Sequence, residues 1–168
     1  DQNQNRRYVV VDERVKRTYS ADSNAGSRSK LNDPYVKFFR WAADRLEGRD
    51  GIVCFVTNNS FIEQLAFDGM RKHLTSDFSA IYHVDLEGNV REDPTLSGSA
   101  YNVFGIQVGV GITVAVRRAK ASEQELHYMK VEKLLRRTEK LAWLTAQKSL
   151  GGVKWRRANT SGDAAATS

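Results

Sequence analysis

Apolar and polar residues alternate along this chain in short blocks, first at helical and then at strand-like spacing. Val9, Val10, Val11 and Val15 among charges predict a short helix within 8–19. Residues 20–31 are rich in Ser, Asn, Gly and charge and read as a loop. Tyr35, Phe38, Phe39, Ala42 and Leu46 then recur at helical spacing. They follow Asp33-Pro34, a cap residue and a proline at the first helical position, so 34–47 is an amphipathic helix. Ile52-Val53-Cys54-Phe55-Val56 is a continuous apolar run bounded by turns, the pattern of a strand buried on both faces of a parallel sheet. That puts Cys54 in the interior as a small hydrophobe. Ser60 with Glu63 forms a capping box for a helix over 61–74, with Phe61, Leu65, Met70 and Leu74 inward. Residues 80–86 supply the next strand and complete a βαβ unit.

Beyond this unit the pattern loosens. Residues 87–104 contain Gly88, Pro94 and Gly98 and read as a long, functional loop. Residues 108–116 form a glycine-containing strand, 126–131 a further strand, and 132–147 a helix with Leu134, Leu135, Leu141 and Leu144 among charges. The small and polar end, 158–168, is expected to be disordered. The elements predict an α/β fold. One βαβ unit and two more strands are too few for a complete doubly wound sheet, and the helix at 34–47 has no strand before it. The sheet therefore reads as the C-terminal half of a doubly wound domain, with a basic helical extension.

Composition narrows the class. A chain of 168 residues, 40% hydrophobic, with seven Phe, six Tyr and three Trp, is one domain's worth with enough apolar mass for a core. No apolar run approaches the roughly 20 residues of a membrane span. The polar start, Asp1-Gln2-Asn3-Gln4-Asn5-Arg6-Arg7, has neither a signal-peptide core nor an initiator Met. A cytoplasmic fragment is the expectation. The single Cys54 excludes a disulfide framework and a Cys-rich zinc site. The net charge of +6 is uneven: residues 1–116 hold 14 Lys/Arg against 15 Asp/Glu, whereas 117–168 hold 12 against 5. Such asymmetry fits either a polyanion-facing end or a solvated tail.

Candidate chemistry is sparse. His73, His83 and His127 have no metal-ligand spacing, so no metal is expected. Asn32-Asp33-Pro34-Tyr35 partly matches the Asp/Asn-Pro-Pro-aromatic turn of amino-methylating enzymes, but one proline is missing and helix capping explains the same letters. Thr57-Asn58-Asn59-Ser60 lies where the strand runs into its helix, the end at which α/β sheets bind ligands. Its amides could bond a base or cofactor, or form a polar turn. Arg117, Arg118, Lys130, Lys133, Arg136, Arg137, Lys140, Lys154, Arg156 and Arg157, interleaved with Tyr128, Trp143 and Trp155, suit a nucleic acid. The same letters also describe a solvated helix face with Trp143 in the core.

Several segments, taken in order, resemble the methyltransferase region of the type ISP restriction–modification enzymes. They are Asp33-Pro34-Tyr35-Val36-Lys37-Phe38-Phe39-Arg40-Trp41-Ala42, Gly51-Ile52-Val53-Cys54-Phe55-Val56-Thr57-Asn58-Asn59-Ser60-Phe61 and Phe67-Asp68-Gly69-Met70-Arg71. Asp85-Leu86-Glu87-Gly88-Asn89, Asn102-Val103-Phe104-Gly105 and Val108-Gly109-Val110-Gly111-Ile112 continue the likeness. It covers most of 8–157. It implies a Rossmann-like adenine-N6 DNA methyltransferase that uses S-adenosylmethionine, within a polypeptide that also has nuclease, helicase and target-recognition parts. The chain would correspond to the stretch after the catalytic Asn-Pro-Pro-Tyr motif. Residues 1–120 would be the partial methyltransferase domain, 121–157 a basic connector towards target recognition and 158–168 a tail.

The glycine-rich cofactor motif and the catalytic motif are absent, so the chain alone is expected to be inactive and to bind no S-adenosylmethionine. Val116 stands where related enzymes carry an aromatic wall of the base pocket. Thr57, Asn58, Asn59 and Ser60 would border the active cleft. The DNA-binding residues would be Arg117, Arg118, Lys130, Lys133, Arg136, Arg137, Lys154, Arg156 and Arg157. A non-enzymatic nucleic-acid-binding module on the same half-fold is the alternative.

Overall fold

Five strands make one sheet in the computed structural model, which describes residues 7–91, 93 and 100–158. They are β1 (Gly51–Asn58), β2 (Ala80–Asp85), β3 (Val110–Arg117), β4 (Glu125–Lys130) and β5 (Arg156–Ala158), in spatial order β1-β3-β2-β4-β5. β3 is antiparallel to both β1 and β2, β4 is parallel to β2, and β5 is antiparallel to β4. The fold is thus mixed α/β with a mostly antiparallel sheet. β1 and β2 share a direction, as the βαβ reading requires, but β3 lies between them. The sheet runs on through β4 and β5, and Ala158 closes β5 opposite Leu126. Sequence periodicity gave no sign of β5. Residues 159–168 lie outside the described residues.

The register arranges one face of the sheet in rows. Val53, Ala115, Ile81 and Leu126 stand side by side, then Phe55, Thr113, His83 and Tyr128, then Thr57, Gly111, Asp85 and Lys130. The first row is apolar and packs under the helices α1 (Val9–Val15), α2 (Pro34–Arg45) and α3 (Asp68–Asp77), with Tyr19, Phe39, Phe61 and Met70 in one core cluster. Phe39 meets Phe55 edge-on at 5.1 Å and Phe61 at 5.4 Å. Burying such a ring is worth about 2–3 kcal/mol. Arg40 ties the helices together. Its guanidinium, 3% exposed, pairs with Asp44 and Asp77, both at 2.8 Å, and lies over the Tyr19 ring. The opposite face carries a second cluster, in which Val84, Val110 and Val131 pack with Trp143 and Leu144 of α4 (Arg137–Gln147) and with Trp155.

Several sequence expectations need correction. β1 is not buried on both faces. It is an edge strand with an antiparallel partner, so its side chains alternate, and Ile52 (68% exposed), Cys54 and Val56 (51%) point outward. Cys54 is therefore exposed, not interior. On α2 the inner face is Val36, Phe39, Arg40, Ala42 and Ala43, with Arg40 buried through its pairs with Asp44 and Asp77, and Phe38 is exposed. Ser60 and Glu63 do not cap a helix: the Ser60 N–H is taken by Asn58 Oδ1 at 2.8 Å, and the helix starts only at Asp68. Asp68 binds the Gly69 N–H at 2.7 Å and the Asn24 N–H at 2.8 Å. Gly69 is required there, since a Cβ would come within 2.0 Å of the Tyr19 carbonyl oxygen. The last helix begins at Arg137, not 132, with Glu139 bonding the Arg136 N–H at 2.7 Å.

Candidate functional site

The third row of the sheet face is polar, and the turn after β1 folds over it. Asn58 closes a local side-chain turn onto Ser60. The backbone N–H of Asn59 reaches the Gly109 carbonyl at 3.2 Å, and its side-chain amide donates to Asp85 Oδ1 at 2.6 Å. Asp85 also accepts from the Glu87 N–H at 2.7 Å and, through Oδ2, from the Tyr128 hydroxyl at 3.0 Å. Asn59 fits because its neighbours are glycines: a Cβ on Gly109 would lie 2.5 Å from Asn59 Oδ1. A Cβ on Gly111 would lie 2.4 Å from the His83 ring. These contacts border a cleft of about 130 Å³ lined by Asn59, Ser60, Ile62, Glu63, Gln64, Asp85, Glu87, Asn89 and Lys130. The Thr57 hydroxyl and the Asn89 amide oxygen are buried with no hydrogen-bond partner among the described residues.

The described ends of the loop that follows β2 are held in shape. Glu87 (φ 56°) and Gly88 (φ 82°) sit in the left-handed region, a strained place for Glu87. Asn102, 1% exposed, donates to the Val108 carbonyl at 2.7 Å and accepts from the Phe104 N–H at 2.9 Å. Lys140 is fully buried, bonded to the Tyr101 carbonyl, and burial lowers its pKa. Residues 92 and 94–99 of the predicted loop lie outside the described residues.

Beside the cleft, His83 is 3% exposed. Its Nδ1 bonds Thr113 Oγ1 at 2.9 Å and its Nε2 has no partner among the described residues. Burial pushes its pKa down to about 4, against a smaller opposite pull from Asp85. Burial, reinforced by Asp85, raises the Tyr128 phenol, so Tyr128 stays a donor.

Thr57, Asn58, Asn59 and Ser60 lie at one end of the sheet, but only Asn59 and Ser60 line the cleft; Thr57 sits in the sheet row, Asn58 turns onto the Ser60 N–H, and local structure already uses both asparagines. The basic residues do not form one group. Arg117 lies opposite Gly51, at the far end of β1 from the cleft. Lys130 lies at the cleft end and pairs with Glu87 at 2.6 Å; Lys133 pairs with Asp93, and Arg157 with Glu125 at 3.2 Å. Arg118, Arg136, Arg137, Lys154 and Arg156 are exposed. Trp143 and Trp155 pack against the second core cluster, and Tyr128 is engaged with Asp85. Asp85 escaped sequence reasoning because its role depends on strand register. Among the described residues, no group of three His, Cys, Asp or Glu side chains could hold a metal, and no helix is long and apolar enough to cross a membrane.

No protein-family model matches the chain, and no curated protein does. Solved structures do. A cryo-EM structure of a DrdV–DNA complex is 40% identical over 95% of this chain, with a TM-score of 0.82. The ATP-dependent Type ISP restriction–modification enzyme LlaBIII bound to DNA is 32% identical over 90% of it, with a TM-score of 0.84. The structural neighbours of this chain thus include Type ISP restriction–modification enzymes bound to DNA. A nuclease-deletion mutant of the Type ISP enzyme LlaGI, in complex with a DNA substrate mimic, is 27% identical over 95% of the chain at a TM-score of 0.83. The likeness supports the Type ISP family for this chain. The chain spans 15%, 10% and 13% of DrdV, LlaBIII and LlaGI respectively.

Proposed function

We propose that the chain is the C-terminal half of a Rossmann-like, doubly wound methyltransferase sheet within a Type ISP restriction–modification polypeptide. There it contributes to methyl transfer from S-adenosylmethionine to the N6 amine of adenine in DNA. The likeness over 90–95% of the chain to segments of DNA-bound structures, among them the Type ISP enzymes LlaBIII and LlaGI, carries this reading. The open edge of β1 and its outward Ile52 and Val56 support it, since an upstream half would supply the next strand and cover that face.

In this reading Thr57, Asn58, Asn59 and Ser60 border the active cleft, and the DNA lies on the side of the loop that follows β2. The exposed Arg118, Arg136, Arg137, Lys154 and Arg156 face the DNA backbone or the target-recognition part. In this reading the cleft beside Asn59 does not hold the cofactor. No glycine-rich loop is present, and the cleft of about 130 Å³ is smaller than the ≈ 300 Å³ at which small-molecule sites begin. S-adenosylmethionine would therefore be held by upstream residues. The test is adenine methylation by the polypeptide that carries this chain, with Asn58→Ala and Asn59→Ala introduced together. Methylation should fall sharply while DNA binding persists; unchanged methylation would remove these residues from the cleft.

A further inference from the structure

We infer that Asp85 is a positioning residue for the cleft, holding Asn59 in place, and that Tyr128 fixes Asp85 in turn. The inference rests on the reading of Thr57–Ser60 as the cleft border. Asp85 is 5% exposed, and its carboxylate is engaged by three donors, the Asn59 amide, the Glu87 N–H and the Tyr128 hydroxyl. A carboxylate so occupied acts through its neighbours. Charge-assisted bonds of this kind are short and about twice as strong as neutral ones, and 2.6 Å to Asn59 is at the short end. Gly109 confines Asn59 from the other side, so the amide sits between a carboxylate and a bare backbone. Both faces of the turn are thereby fixed before any ligand arrives.

The connection also crosses the sheet. Tyr128 and Lys130 are two residues apart on β4, and Lys130 pairs with Glu87 at 2.6 Å. β4 thus grips the cleft twice, through Tyr128–Asp85–Asn59 and through Lys130–Glu87. A shift of β4 along its axis moves both grips together. β4 is also the strand that leads into the basic segment.

Two measurements test this. In the chain itself, the Asn59 side-chain amide protons are followed by ¹⁵N-resolved NMR. In the polypeptide that carries it, kcat and KM for adenine methylation are measured. Asp85→Ala should move the Asn59 amide resonance upfield and lower kcat about tenfold or more with KM for DNA unchanged. Asp85→Asn, which restores an acceptor, should recover most of that loss. Tyr128→Phe, which removes one hydroxyl, should act in the same direction more weakly, and it serves where Asp85→Ala does not fold. An Asn59 resonance unmoved by both Asp85→Ala and Tyr128→Phe overturns the inference. So does a rise in KM at constant kcat. Asn59→Ala separates the two readings: if it spares methylation, the cleft assignment falls and the positioning role with it. If it abolishes methylation while Asp85→Ala and Tyr128→Phe do not affect it, only the positioning role falls.

Discussion

Acid should unfold this protein in a window set by one histidine. His83 is buried beside Thr113, its Nε2 has no partner among the described residues, and its pKa falls from 6.5 to about 4. The unfolded chain therefore takes up a proton near pH 6.5 and the folded protein only near pH 4. Between those values the unfolded state binds more protons, so stability rises with pH and is lost as pH falls. The linkage amounts to about 2 kcal/mol between pH 7 and 5 and about 3 kcal/mol by pH 4. Paired carboxylates such as Asp12 and Asp44 have lowered pKa values, so their contribution is present above the ordinary 3.8 and disappears only below it. The two effects separate on the pH axis. Urea unfolding followed by tryptophan fluorescence at pH 7, 6 and 5 measures the slope. His83→Gln, which cannot titrate, should flatten it whatever its effect on absolute stability. A slope of the same size in both proteins would refute the reasoning.

Other perturbations have equally direct readouts. Gly111→Ala forces a Cβ against the His83 ring and Asn59, at 2.4 Å and 3.1 Å, and should cost about 1–3 kcal/mol in thermal unfolding. An unchanged melting temperature would show that the row has slack. Ile52→Lys with Val56→Lys should abolish self-association through the open β1 edge and its exposed face, read by light scattering against concentration. An unsubstituted chain that stays monomeric at every concentration contradicts this. DNA binding by the chain should weaken linearly on a log–log salt plot, and Lys154→Ala with Arg156→Ala should lower the slope by about 2. A salt-independent affinity would count against a phosphate-facing role for these exposed cations.

Local patterns carried much of the fold. Pro34 behind Asp33 marks the start of α2, and the helix begins there. Residues 80–86 and 126–131 read as strands within one residue of their true ends, since each apolar or mixed run is bounded by turn residues. Errors came where tertiary context overrides the pattern. Ile52 to Val56 is apolar at every position, and a run of that kind cannot say whether the strand is central or at an edge. Arg40 looks like a surface residue until Asp44 and Asp77 close around it. β5 has three residues, two of them arginines, so neither period nor composition reveals it. The candidate site was half legible. Thr57–Ser60 stood out as a polar end to an apolar strand, but Asp85 and Tyr128 join it only through the pairing of β2 with β3 and β4. The basic residues were visible by charge, whereas their ion pairs and their separation along the sheet were not.

The central claim is that this segment borders the cleft in which adenine is methylated. Its most direct measurement is N6-methyladenine formed in DNA by the polypeptide that carries the chain, with and without Asn58→Ala and Asn59→Ala. The account predicts a loss of about tenfold or more in the doubly substituted protein at unchanged DNA affinity. Full methylation by that protein would contradict it.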